Sequence, residues 1–314
     1  MKKLLQLVEK TGINLIDIGS SGSLDLKWKP LEKIINLVGF DPNKNECDRM
    51  NNKKNNYLSS KFLPYAIGGF NGEATLYKTK SIFCYSLLKP NEEWLNRFSF
   101  YDKFTVEGNE KVDVVTLDSI NELRGINFDV LKCDTQGLEL PILKQAKEIV
   151  KEIFYLETET GFTRNYVDET TFTQISEFAF DNGFLMFDLN INHRIARNNV
   201  FKNARTGKEQ ILWAEAVWLK DYVSLLKKNI IKEESVTREK AIKILILCAN
   251  QGCIDFGYEL AALFHEMNLL NEAEFASLRS ANNWDIPNRA KLLHTTNHYY
   301  NKAKNKIKRE LKLK

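Results

Sequence analysis

Three short apolar runs, each stopped by a glycine or aspartate turn, limit what this chain can become. Residues 14–18 (NLIDI) lead into Gly19-Ser20-Ser21-Gly22, residues 34–40 (IINLVGF) into Asp41-Pro42, and residues 128–133 (FDVLKC) into Asp134. Runs this short, bounded by turn residues, read as strands buried on both faces. Such strands build a mainly parallel sheet covered by helices on both sides. Further strands are expected at residues 63–67, 112–117 and 153–157, and residues 74–78 (ATLYK) read as an added antiparallel strand. Helices are predicted over 138–150 and around 171–182. Residues 184–189 and 214–219 have no helical pattern between them, so they are expected to pair as an antiparallel edge hairpin. The alternation predicts an α/β, doubly wound fold over residues 1–220.

Beyond residue 219 the texture changes. Apolar stripes at helical spacing over 237–250, 256–268 and 270–281, broken at Gly252, predict an all-helical C-terminal appendage over 221–314. It is expected to hold four to six helices and to pack against the first part. The chain's 314 residues suffice for both without a disulfide or metal staple. Its net charge of +4 invites a nucleic-acid reading. Yet the last thirteen residues alone carry seven basic side chains against Glu310. The excess is local, so neither a basic face nor a nucleic-acid partner is expected. The tail reads as a solvated helix end, with peripheral contact to an acidic membrane as the sharper alternative. Five cysteines with no CxxC pair argue for a reducing, cytoplasmic setting. No apolar run reaches the ~18 residues of a transmembrane segment. The start, MKKLLQLVEKTG, reads as an amphipathic helix rather than a leader.

Chemistry concentrates where the strands end. Asp17-Ile-Gly19-Ser20-Ser21-Gly22 lets backbone approach a ligand, and a following helix N-terminus is expected to offer N–H donors. Asp41, 22 residues after Gly19, stands where an acid accepts hydrogen bonds from a ribose, with Pro42 fixing the backbone beyond it. A dinucleotide turn requires a glycine where this chain has Ser21, and Asp17 would oppose a pyrophosphate. A carboxylate there suits a cationic ligand such as S-adenosylmethionine. Asp134 ends a strand at the edge where such sheets bind ligands, and Gly137 permits the sharp turn that follows. Pro141 suits the first turn of the next helix. Glu139 has two readings, a functional acid or a carboxylate favoured by that helix's dipole.

LIDIGSSGS, GFDPN, YAIGGFNGEATLYKT, VVTLDSI and VLKCDTQGLELPILK occur in this order. Over residues 12–220 the chain resembles the FkbM family of S-adenosylmethionine-dependent methyltransferases. That resemblance implies a seven-stranded class I methyltransferase fold and O-methylation of sugar or polyketide-type hydroxyls. It places Asp17, Gly19 and Gly22 at the methionine end of the cofactor, Asp41 at the ribose, Ala66 and Ile67 near the adenine, and Asp134 and Gln136 at the reacting centre. Where the family often has Ala-Asn, this chain has Ser20-Ser21, small polar residues that still admit the cofactor.

Methyl transfer to a sugar hydroxyl requires a base for its proton or a metal to lower its pKa. Asp134, Glu157, Glu159 and His193 are the candidates. Glu157 and Glu159 share a face if their strand continues. Asp134 with Glu157 is expected to position or deprotonate the acceptor. A divalent cation between them is the alternative, although no spacing demands one and no metal ligand is assigned. Seven aromatics between Phe83 and Phe104 fit either a lid that stacks on sugar rings or a helix packed on the sheet. The loop carrying His193, Arg194, Arg197, Lys202, Arg205 and Lys208 fits an acidic group on the acceptor or plain solvation. The expected partner is therefore a small-molecule or glycan acceptor. A homo-oligomer through the helical appendage is a further expectation. The competing functions are a non-catalytic module on a methyltransferase fold and a nicotinamide oxidoreductase.

Overall fold

The computed structural model describes residues 1–20, 24–191, 194–198, 208–279 and 284–286. The chain opens with α1 (Lys2–Leu7), β1 (Ile13–Ile18), a 3-10 segment (Leu26–Ile34), β2 (Ile35–Phe40), α2 (Lys44–Asn52) and β3 (Ser59–Leu63). An excursion follows: β4 (Ala66–Ile67), β5 (Gly72–Thr79), the one-turn α3 (Glu92–Leu95) between two 3-10 turns, and β6 (Val106–Val115). The alternation then resumes with β7 (Val130–Cys133), α4 (Glu139–Lys144), α5 (Lys147–Glu152), β8 (Tyr155–Gly161), α6 (Phe172–Asp181) and β9 (Phe184–Asn190). One short antiparallel pair, β10 (Arg194–Ile195) with β11 (Gln210–Ile211), precedes β12 (Trp213–Lys220). The described chain closes with α7 (Tyr222–Lys227), α8 (Arg238–Gln251), α9 (Ile254–Glu266) and α10 (Glu272–Leu278).

Seven strands form one sheet in the order β3-β2-β1-β7-β8-β12-β9. Neighbours pair in parallel except at β12, which runs against both β8 and β9. The expected doubly wound sheet and its antiparallel pair are therefore present. The winding reverses between β1 and β7, and at such a switch point the chain leaves adjacent strands in opposite directions and opens a crevice.

Alternate residues of each strand feed opposite cores. Ile13, Leu15, Val130, Tyr155, Val217 and Leu219 pack with α1, the 3-10 segment and α8. Ile16, Ile18, Leu131, Cys133, Leu156 and Trp218 pack with α4, α5 and α6. The first of these cores crosses position 220. Ala241 to Ala249 of α8 are buried and share it with β1, β7 and β8. Thr237 caps α8 at one end, and Gly252, at φ 82°, ends it in the left-handed conformation.

Several local expectations are corrected. Residues 63–67 do not form one strand. Pro64 has no N–H for a ladder, so β3 stops at Leu63 and Ala66–Ile67 pairs instead with β6. The antiparallel strand at 74–78 pairs with β6 in a separate three-stranded sheet, and not with the main one. The helix over 138–150 is broken at Gln145-Ala146 into α4 and α5. Among the described residues between β1 and β2 there is no α-helix, where one was expected to offer N–H donors. The described residues there run through a 3-10 segment that contains Pro30. Among the described residues, no helix is long and apolar enough to cross a membrane.

Candidate active site

β1 and β7 end side by side at the switch point. Gly19 has φ 80°, and a Cβ on it would lie 1.9 Å from the Asp134 carbonyl oxygen. Only a residue without a side chain permits this approach. The Gly19 and Ser20 amides both donate to the Phe40 carbonyl, at 3.1 and 3.0 Å, so they clamp β1 to β2. Asp41 follows Phe40, and its Oδ1 accepts the Asn43 amide at 2.7 Å in the turn that opens α2. Burial raises the Asp41 pKa. Pro42 is exposed beside it, whereas Ala66 and Ile67 are buried in the small sheet.

Two groups of charged side chains flank this edge. The first lies on the α8 side of the sheet. Asp17, only 3% exposed, pairs with Lys132 at 3.1 Å. Glu157, 1% exposed, pairs with Lys27 at 2.7 Å and accepts the Tyr155 hydroxyl at 2.7 Å. Burial alone would lower both lysines, but the carboxylates around them raise Lys27 and lift Lys132 well above the usual range. Asp25 and Glu215 join the group, each raised by burial. Asp134, Glu157 and Asp25 add to the effect of Asp17 on Lys132. Among the described residues, no three His, Cys, Asp or Glu side chains are arranged to hold a metal.

The second group surrounds the turn after β7. Gln136 has φ 58° and Gly137 φ 109°, and a non-glycine residue in the left-handed region costs energy that its surroundings must offset. Here they do. The Gln136 side-chain amide donates to Asp134 Oδ1 at 3.1 Å and to Glu159 Oε2. Its oxygen accepts the Tyr166 hydroxyl at 2.9 Å, and its backbone carbonyl accepts the Ser86 hydroxyl at 2.9 Å. Burial lifts the Glu159 pKa well above the carboxylate range, and Asp134, Glu139 and Glu169 push it further. Glu139 is 1% exposed. Its Oε1 accepts Thr135 N at 2.8 Å, Thr135 Oγ1 at 3.1 Å and Gly137 N at 3.2 Å. Of its two readings, the structure gives Glu139 the architectural one, a carboxylate that folds the turn. Burial holds it at about 7. Glu169, at about 8 for the same reason, accepts the Tyr166 amide at 2.9 Å.

The strand-end carboxylates thus divide. Glu159 meets Asp134 and Gln136, whereas Glu157 is held by Lys27 and Tyr155. Asp134 and Glu157 take different hydrogen-bond partners, Gln136 and Tyr155. Ser21, Gly22 and His193 lie outside the described residues, as does the basic tail. Sequence reasoning missed Lys27, Asp25, Tyr166 and Glu169. Lys132 stood inside the quoted motif without a role. A cavity of ≈ 20 Å³ lies beyond Glu159, lined also by Thr160, Tyr166, Phe104 and Trp213. The Thr160 hydroxyl has no hydrogen-bond partner among the described residues. The aromatic segment neither forms a long helix nor joins either sheet core. Leu95, Phe104 and Cys84 cluster with Tyr166 and cover the end of β8.

A doubly wound sheet with an antiparallel penultimate position and a carboxylate-lined crevice at its switch point defines a Rossmann-like, class I methyltransferase fold. Residues 25–186 match the methyltransferase FkbM domain, and the chain belongs to that family. No curated protein matches the chain. Solved structures similar to it include a TehB-like SAM-dependent methyltransferase from Corynebacterium glutamicum, at 10% identity and TM-score 0.32 over 69% of this chain and 87% of the other. A SAM-dependent methyltransferase from Methanosarcina mazei has 12% identity and TM-score 0.34, with 69% and 96% covered. The N-methyltransferase NodS from Bradyrhizobium japonicum has 11% identity and TM-score 0.31, with 70% and 93% covered.

The residues present fit S-adenosylmethionine, the cofactor of this methyltransferase. Lys132 and Lys27 offset only Asp17 and Glu157. Asp25, Asp134 and Glu215 remain as further carboxylates around the crevice, which suits a ligand with a sulfonium and an ammonium group. The glycine-only contact at Gly19 keeps the crevice floor free of side chain.

Proposed function

We propose that this chain is an O-methyltransferase that transfers the methyl group of S-adenosylmethionine to a hydroxyl of a sugar or glycoconjugate precursor. The observation that carries the proposal is the Asp134–Gln136–Glu159 network at the switch point. Gly19, Ser20, Asp41 and Asp134 would hold the cofactor, which supplies an electrophilic methyl when bound. Glu159 accepts the acceptor's proton. Its raised pKa makes it a stronger base than an ordinary carboxylate. Gln136 fixes the Glu159 carboxylate and Tyr166 fixes Gln136, so the base is oriented before the acceptor arrives. Asp134 positions the acceptor. Glu157, neutralised by Lys27, holds the 25–27 segment against the sheet and is not assigned the base role.

The cavity beside Glu159 favours a polyhydroxylated acceptor. The unmatched Thr160 hydroxyl offers a hydrogen bond, and the aromatic residues Phe104, Tyr166 and Trp213 line the cavity. A sugar ring is larger than ≈ 20 Å³, so acceptor entry requires the aromatic segment to move aside. Radiolabelled methyl transfer onto a panel of glycans and nucleotide-sugars, with and without chelator, tests the reading. Glu159→Gln is expected to keep cofactor binding and lose transfer by about a hundredfold or more. The wild-type rate should rise with pH above the ordinary carboxylate range, because Glu159 must lose its proton first. Full transfer by Glu159→Gln would remove the base from Glu159. Transfer only to amines would replace the hydroxyl acceptor.

A further inference from the structure

Away from the catalytic carboxylates, two arginines meet at one indole. The Arg97 guanidinium lies 5.0 Å from the Trp94 ring centroid. The Arg197 guanidinium lies 5.2 Å from the same ring and 4.4 Å from the Phe98 ring. Backbone pairing, not chance contact of long side chains, brings them together. Phe98 and Arg197 form an antiparallel bridge. Ser99 N donates to the Ala196 carbonyl at 3.0 Å, and Asn198 N to the Arg97 carbonyl at 2.8 Å. Residues 97–99 of the aromatic segment and residues 196–198 are thereby tied into one platform.

Among the described residues, no carboxylate is paired with either arginine. The sequence 192–193 and 199–207 beside Arg197 contains no Asp or Glu. Burial and the charge of Arg97 lower the Arg197 pKa, the sign of like charges held close. Arg197 gives one donor to Gln210 Oε1. Stacking occupies a guanidinium's face and leaves its remaining N–H edges open, the arrangement that suits planar or tetrahedral oxyanions. The platform also adjoins the cavity. Trp94 Nε1 donates to Asn165 Oδ1 at 3.3 Å, and Asn165 lines the cavity beside Glu159.

We propose that Arg97 and Arg197 form an anion-binding site beside the acceptor cavity that takes the phosphate of a phosphorylated sugar acceptor. This rests on the acceptor reading above, and it assigns these arginines to acceptor choice rather than to chemistry. Calorimetry of the full chain without methyl donor tests it, with a hexose phosphate, the matching neutral hexose and inorganic phosphate as probes. The hexose phosphate is expected to bind more tightly than either of the others. Replacing both arginines (Arg97→Gln with Arg197→Gln) should weaken hexose phosphate binding about tenfold or more and leave the neutral hexose unchanged. Arg97→Lys with Arg197→Lys should restore part of the loss. Both double variants are compared at an unchanged melting temperature. Failure of the hexose phosphate to bind, equal binding of hexose and hexose phosphate, or insensitivity to the glutamines would each overturn the proposal. So would inorganic phosphate binding as tightly as the hexose phosphate, which would make this a free-phosphate site. Because no methyl donor is present, loss of all methyl transfer would sink the O-methyltransferase reading and leave this binding result standing.

Discussion

At the scale of single residues, the crevice is set by one atom that is missing. Gly19 combines a left-handed φ of 80° with a 1.9 Å clash for any Cβ against Asp134. A left-handed conformation alone costs a non-glycine residue about 1–2 kcal/mol, and the clash forces β1 and β7 apart. Gly19→Ala is therefore expected to weaken S-adenosylmethionine binding about tenfold or more by calorimetry, with a lower melting temperature. Unchanged affinity would mean that the cofactor does not depend on this junction. Gly19, Asp41 and Asp134 were legible because each ends an apolar run, and strand ends are marked by local composition. Tyr166 and Glu169 were not legible, since they sit in the turn-rich stretch after β8 and reach Gln136 and Gly137, respectively, only through the fold. The choice between Glu157 and Glu159 was equally hidden. They stand two residues apart on one strand, and only the fold shows that Lys27, more than a hundred positions upstream, pairs with Glu157 while Gln136 meets Glu159.

At the scale of elements, the same logic explains where strands were misread. Hydrophobic pattern finds apolar segments, but it does not say which sheet they join. Pro64 splits one apolar stretch between two sheets, and the mostly exposed residues 107–111 (EGNEK) of β6 hide half of a ten-residue strand. A buried amine links two elements of the main sheet layer. Lys220, at the end of β12, donates to the Val150 and Lys151 carbonyls at the end of α5, at 2.6 and 2.7 Å. Burial, helped by Lys240, lowers its pKa to about 7. A neutral amine still has two protons for those two carbonyls. The unfolded chain, with an ordinary lysine pKa of about 10.4, binds more protons than the folded one between these values. Stability should therefore increase as pH rises from about 7 towards about 10, and the full penalty should persist below about 7. Denaturant midpoints measured across that range should show the slope, and Lys220→Met should flatten it. A slope that survives in Lys220→Met would place the proton elsewhere.

At the scale of the whole molecule, the question is whether residues beyond 220 form a separable unit. The change from alternating strands to helical stripes, plain in the sequence, marks a change of element type. Packing need not follow that mark. α8 lies buried along most of its length, in one core with Ile13 and Leu15 of β1, Val130 of β7 and Tyr155 of β8. Asn250 reaches the Lys27 carbonyl at 3.1 Å, and Lys243 pairs with Asp129 at 3.3 Å, so polar contacts cross the same boundary. A parallel sheet needs both faces covered, and α8 covers much of one face here. Each fully buried aliphatic side chain re-exposed costs about 1.5–3 kcal/mol, while a folded domain's whole margin is about 5–15 kcal/mol. Losing α8 uncovers several such side chains at once. A chain ending at Lys220 is therefore expected to lose cooperative thermal unfolding and bind a hydrophobic dye, and S-adenosylmethionine should not rescue it. Calorimetry and dye fluorescence on the shortened and full-length chains decide the matter. A monomeric, cooperatively melting 1–220 chain would mean that α8 is an appendage laid on a sheet already stable without it.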